Sequence, residues 1–177
     1  FSMMLTFLPA GAVSAFAEET ADDTTKGELL HGGDIITDSG TYQLYGNYNQ
    51  GITINTTGSV EINVTGNVTV TVPENTNFIT ITKADSVTIN GDAQYPVTVN
   101  GGSVISNNGG NLTVNGGKYI CNVQNPYSFA FTLANGINQV ENVTIESKYH
   151  AIRAVLNCKK AVIKSSKITT KLAYGPY

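Results

Sequence analysis

Tryptophan is absent from this 177-residue chain, cysteine and histidine occur only twice each, and charged residues make up 13%. Each scarcity excludes something. The cysteines, Cys121 and Cys158, form no C-x-x-C pair, and His31 and His150 lie far apart, so the usual ligand spacing of a zinc site is missing. No metal or other cofactor is expected. Sustained i, i+3, i+4, i+7 apolar spacing is missing outside the N-terminus, which argues against helices. Long apolar runs are missing too. The longest, in "FSMMLTFLPAGAVSAFAEE", covers roughly 10–15 residues, whereas a membrane-crossing helix needs about 20. No transmembrane segment is expected in the mature chain.

That apolar run ends in Ala15-Phe16-Ala17, the small-x-small pattern read by signal peptidase. With Phe at position 1 and no basic region before it, residues 1–17 read as a partial signal peptide in a chain that begins mid-sequence. Residues 18–34, "EETADDTTKGELLHGGD", are polar, acidic and aperiodic, and read as a flexible spacer. Export follows, with a secreted or cell-surface destination, and an exported chain permits a disulfide.

What the chain does have is Thr, Asn, Gly, Val and Ile. β-Branched residues favour the pleat of a strand, while Asn and Gly supply turn geometry. The residues also repeat at a period within the 20–50 range of stacked architectures. The element V-x-I-N occurs as Val60–Asn63 and Val87–Asn90. It returns as Leu112–Asn115, Val143–Glu146 and, loosely, Ala161–Lys164. A preceding series runs Ile52-Thr53-Ile54, Ile79-Thr80-Ile81, Val104-Ile105-Ser106, Phe131-Thr132-Leu133, Ala154-Val155-Leu156. A following series runs Val68-Thr69-Val70, Val97-Thr98-Val99, Tyr119-Ile120-Cys121, Tyr149-His150-Ala151, Ile168-Thr169-Thr170.

Each segment alternates apolar and polar residues, so one face is buried and the other solvated. Like-patterned segments lie a full period apart, which favours stacking each strand on its copy in the next turn. The prediction is an all-β, single-stranded parallel β-helix (β-solenoid) over 35–177, about five turns of three short strands, continuing beyond residue 177. The stretch "NVQNPYS" at 122–128 reads as a corner insertion, with Pro126 kept out of the ladders.

On these phrases the chain resembles the right-handed parallel β-helix (pectate-lyase-like) fold of bacterial secreted and cell-surface proteins. "GTYQLYG" at 40–46 is similar to the opening region of carbohydrate-binding-domain-containing bacterial proteins, and "LTVNGGKY" and "KYHAIRAVLN" to phrases of β-helical surface proteins. The resemblance implies a fold more than an activity. Lyases of this type use carboxylate-held Ca²⁺ with an Arg or Lys base, and hydrolases use paired acids. In the register read here, Glu61 stacks over Thr88, Thr113 and Thr144, and no two carboxylates share a column on neighbouring turns. No catalytic residue is assigned. The expected function is therefore an adhesin-like or carbohydrate-binding scaffold. The alternative is the N-terminal part of a polysaccharide lyase or glycoside hydrolase, and a third class is a structural stalk.

Charge is uneven. From Lys148 onward there are seven basic residues (Lys148, Arg153, Lys159, Lys160, Lys164, Lys167, Lys171) and no acidic one. Lys118, Lys148 and Lys167 read as one column of ammonium groups, with Arg153, Lys171 and Tyr149 nearby. Such a column repels itself unless solvated or paired. These six residues form the candidate surface for a polysaccharide or cell-wall glycan, an anionic one relieving the repulsion. The competing reading is a solvated face balanced by acids on later turns. Nucleic acid fits poorly, because the basic residues lack interleaved stacking aromatics.

Asn63, Asn90 and Asn115 either bind sugar hydroxyls or bond along their own ladder, and the ladder is favoured. Tyr42, Tyr45 and Tyr48 either stack on pyranoses or cap the solenoid end, and the cap is favoured. Cys121 and Cys158 fall in different columns and turns, so no bridge is expected between them.

Overall fold

A computed structural model describes residues 27–155 and 157–171. The signal-peptide reading falls on residues outside this set. Among the described residues there is no helix, and the strands coil into a β-solenoid of about 5 turns. Every strand pair is parallel.

The strands, numbered in chain order, stack in three columns. Column one is the 6-stranded sheet. It comprises β2 (Ile35–Ile36), β4 (Ile52–Asn55), β6 (Asn77–Lys83), β9 (Ser103–Asn107), β12 (Phe129–Leu133) and β15 (His150–Ala154). Column two stacks β1 (Glu28–Leu29), the first parts of β3 (Gly40–Tyr48) and β5 (Ser59–Thr71), and β7 (Ser86–Gly91). It continues through β10 (Asn111–Gly116), β13 (Gly136–Glu141) and β16 (Cys158–Lys164). Column three takes the second parts of β3 and β5, then β8 (Val97–Gly101), β11 (Lys118–Val123), β14 (Thr144–Ser147) and β17 (Lys167–Thr170). Because β3 and β5 run through both, columns two and three belong to one 11-stranded sheet.

Alternation builds the core. Val60, Val87 and Leu112 lie in register, as do Ile62, Ile89 and Val114, and all six are buried. Burying each such side chain stabilises by about 1.5–3 kcal/mol. On the later turns the corner between columns two and three takes a left-handed residue. Gly116 (φ 72°), Asn142 (φ 57°) and Ser165 (φ 47°) fill that place on successive turns. Only glycine enters this region without a steric penalty, and asparagine tolerates it better than most.

The structure moves five sequence-based assignments. The column-two strand after Leu112–Asn115 is Asn138–Glu141, not Val143–Glu146. The latter lies on β14 and its approach, where Ile145-Glu146-Ser147 pairs with Tyr119-Ile120-Cys121 in place of Tyr149-His150-Ala151. In column one, Ile152-Arg153-Ala154 continues Phe131-Thr132-Leu133, instead of a triplet beginning at Ala154. Two turns earlier, Ile79-Thr80-Ile81 pairs with Ile105-Ser106-Asn107, one residue on from the expected triplet. The reason for the column-two error is Asn138, an asparagine at the inward place where its neighbour has Leu112. Finally, Glu28 and Leu29, expected within the spacer, pair with Tyr42 and Gln43, and Leu30 is buried, so the folded unit begins before residue 35.

Tyr48 packs into the core near the first strands. Its buried ring packs edge-on against Phe78 at 5.1 Å, and its hydroxyl reaches the carbonyls of Leu30 (2.9 Å) and Tyr45 (3.1 Å). Tyr42 is half-buried, whereas Tyr45 is exposed.

Candidate functional site

Outward residues form polar ladders along each column. On column two, Glu61 stacks with Thr88, Thr113 and then Gln139, not Thr144. In the next row, Asn90 donates from Nδ2 to Asn63 Oδ1 (2.9 Å) and Glu61 Oε1 (2.9 Å), so this amide is spent within the ladder. Lys164 sits 3.5 Å from Glu141 one turn below it. Among the described residues no group of three or more His, Cys, Asp or Glu is placed to hold a metal ion.

The expected lysine column is regrouped. Lys118 pairs with Thr144 and Thr144 with Lys167, so Lys118 and Lys167 do share a column, two turns apart. At the strand spacing of about 4.8 Å, that places their backbones roughly 10 Å from one another. Lys148 does not join them. It follows Ser147 at the end of β14, as Lys171 follows Thr170 at the end of β17, and Ser147 and Thr170 are in register. Lys148 and Lys171 therefore occupy equivalent places one turn apart. The regrouping follows from the strand correction, since Lys148 lies after β14 and not before it.

Between the two pairs stands Glu146, which the sequence reading left unconnected to the lysines. Its Oε1 lies 3.0 Å from Lys118 Nζ. The hydrogen bond from Lys118 holds the Glu146 carboxyl below its ordinary range. Slight burial opposes this, and the charges of Lys118, Lys171 and Lys167 add to the lowering. Lys118 thus pairs with Glu146 on the outer face of column three, while Lys167 and Lys171 act on the same carboxylate through longer-range attraction. The acid that partly balances the cluster comes from within these turns, and a cationic excess remains.

Lys148 is held differently. Its Nζ donates to Gln124 Oε1 (2.8 Å) and lies 5.2 Å from the centroid of the Tyr149 ring. Arg153 is on column one, on the other sheet, with its guanidinium carbon 5.3 Å from the centroid of Phe129. The six candidate residues therefore divide into Lys118 and Lys167 on the outer face of column three, the equivalent Lys148 and Lys171 at its end with Tyr149 beside Lys148, and Arg153 on column one. The expectation that Lys118, Lys148 and Lys167 form one column rested on a register that periodicity alone could not fix.

Cys121 is buried on column three and Cys158 half-buried on column two, and both are free. Comparison with protein-family models, curated proteins and solved structures gives no match.

Proposed function

We propose that this chain is part of an exported bacterial β-helix scaffold of the pectate-lyase-like type. In this reading it lies at or beyond the cell surface and contacts an anionic polysaccharide along the outer face of column three. One observation carries the reading: Lys118 and Lys167 share column three with Lys171 at its end, and the one carboxylate their charges act on is Glu146, paired with Lys118. Lysines that outnumber the carboxylate their charges act on repel one another along the face. A linear polyanion laid along the solenoid axis offsets that repulsion, because its charges repeat in the direction in which the lysines repeat. The neighbouring ladders of Thr, Asn and Gln supply donors and acceptors for sugar hydroxyls.

Isothermal titration with polygalacturonate, and with a neutral glucan as control, tests this at low and at physiological salt. Exposed ion pairs are each worth up to about 1 kcal/mol. Replacing Lys118, Lys167 and Lys171 together by Gln is therefore expected to weaken polyuronate binding by about tenfold or more at low salt. Added salt should shrink that difference as screening takes over. Equal binding of the neutral glucan, or binding indifferent to the triple substitution, would sink the proposal.

A further inference from the structure

An asparagine side chain closes on the backbone most readily when glycine follows, because glycine has no side chain to hinder the attack. The chain has five such pairs: Asn90-Gly91, Asn100-Gly101, Asn108-Gly109, Asn115-Gly116 and Asn135-Gly136. The fold treats them unequally. Asn90 commits its amide to Asn63 and Glu61, and the Asn100 side-chain oxygen accepts from Asn122 (3.0 Å). Gly109 donates its N–H to Asn107 Oδ1 (3.3 Å), not to Asn108. Asn115 and Gly116 lie together in β10, in register with Asn90 and Gly91 of the preceding turn. Asn135 is placed otherwise. It stands half-buried at the corner between β12 and β13, and the Gly136 N–H donates to Asn135 Oδ1 (2.8 Å). Asn135 Nδ2 in turn donates to the Asn108 carbonyl (3.2 Å), so both ends of the side-chain amide are fixed. Among the described residues this is the one Asn-Gly pair whose backbone N–H bonds to the side chain before it. The fold also requires glycine at 136. Its φ is 64°, and a Cβ would collide with the Gly110 carbonyl oxygen.

We infer that Asn135-Gly136 is a self-modification site, at which the folded chain converts its own asparagine to aspartate and isoaspartate. Hydroxide removes the Gly136 amide proton, and the lone pair left in its place faces the side-chain carbonyl group to which the N–H was bonded. The nitrogen attacks Asn135 Cγ, and the new C–N bond closes a succinimide ring. The bond from Cγ to Nδ2 breaks, and Nδ2 leaves as ammonia after taking a proton from water. Water then opens the ring at either carbonyl, giving aspartate in the ordinary backbone or an isoaspartyl linkage. Holding the reacting groups in contact is what speeds such a closure. The consequence reaches the core. The Asn135 backbone carbonyl accepts from Nδ2 of buried Asn138 (2.7 Å) and of buried Asn107 (3.3 Å). An isoaspartyl linkage reroutes the backbone through the side chain and turns that carbonyl into a free carboxylate, so the buried network loses a fixed acceptor. None of this depends on what the outer faces bind.

The test is incubation of the full chain at mildly alkaline pH, folded and in urea, followed by peptide mass mapping and isoaspartyl methyltransferase labelling. In the folded chain the Asn135 peptide should exchange amide for acid at least about tenfold faster than the other Asn-Gly peptides. Its rate should rise with hydroxide concentration. In urea most of that lead should vanish, since the dipeptide is the same at every site. Asn135→Gln, whose longer side chain disfavours the ring closure, should abolish the mass change at this position. Converted protein should also unfold at a lower urea midpoint than protein kept at mildly acidic pH. If Asn135→Gln fails to fold by circular dichroism, the comparison of folded and urea-treated chain decides alone. Asn135 matching or trailing the other sites in the folded chain would overturn the inference. The same lead in urea would overturn it too, by assigning the reactivity to local sequence. Equal midpoints for converted and unconverted protein would overturn the link to the buried network.

Discussion

Tyr119 projects inward from β11 with its ring against Phe131, centroids 5.2 Å apart, and its hydroxyl meets no hydrogen-bond partner among the described residues. Burial alone pushes the phenol's pKa far up. The hydroxyl ends beside Gly91, where a Cβ would stand only 2.8 Å from it. An unsatisfied buried hydroxyl costs about 1–3 kcal/mol. Tyr119→Phe should therefore raise stability by about 1 kcal/mol, read as a higher urea midpoint with an unchanged slope. The two thiols differ in the same residue-scale way. Burial pushes the Cys121 thiol up to about 11, against opposing hydrogen bonds from Val123 and Ser147. Cys158 is half-buried, its sulfur 3.4 Å from Asn138 Nδ2. At pH 8, a thiol reagent should modify Cys158 in the folded protein and reach Cys121 only after denaturant is added. Rapid modification of both would contradict the buried placement.

At the scale of elements, the fifth turn shows what alternation can and cannot specify. The V-x-I-N pattern marks β7 and β10 correctly, because Val87 and Leu112 are apolar at the same inward place. It misses β13, whose inward residue is Asn138. That asparagine is fully buried and bonded: Asn107 Nδ2 donates to its Oδ1 (2.8 Å), and its own Nδ2 donates to the Asn135 carbonyl (2.7 Å). A polar residue at a core place is hidden from hydrophobic periodicity, yet its network satisfies it as firmly as packing would. Asn138→Ala removes a partner of buried Asn107 and should destabilise by about 1–3 kcal/mol, measured by chemical denaturation. Corners are more legible. Asn and Gly were expected to supply turn geometry, and Gly116 and Asn142 do so with left-handed angles, followed by Ser165 on the next turn.

Across the whole molecule, charge is spread unevenly. Glu28, Asp34 and Asp38 sit in the first strands and their connections, and most of the basic residues sit from Lys148 onward. Glu146 governs how far the basic face is compensated. Its carboxyl is held below the ordinary range in the folded state, so the stability it contributes is present above the unfolded value and is lost as pH falls through the folded one. Below the ordinary glutamate range, Lys118, Lys167 and Lys171 lose their shared counter-charge. Dextran sulfate stays ionised there, so its affinity for the chain should rise as pH drops through that window. Glu146→Gln should produce the same rise at neutral pH, measured by titration at constant ionic strength. Affinity that falls on acidification, or that ignores the substitution, would show the cluster to be no binding surface.

The sequence by itself determined the architecture. Short alternating segments rich in β-branched residues, repeating with variable spacing, have their apolar faces satisfied by stacking on their own copies, and that outcome is a parallel solenoid. It did not determine which segment of the fifth turn belongs to which column, because strands of all three columns obey the same two-residue alternation. Only the tertiary structure decided that Lys148 leaves the Lys118 column, that Glu146 enters it, and that Phe129 and His150 meet as stacked rings. Those neighbours are joined by hydrogen bonds between turns, at sequence distances where local pattern carries no register.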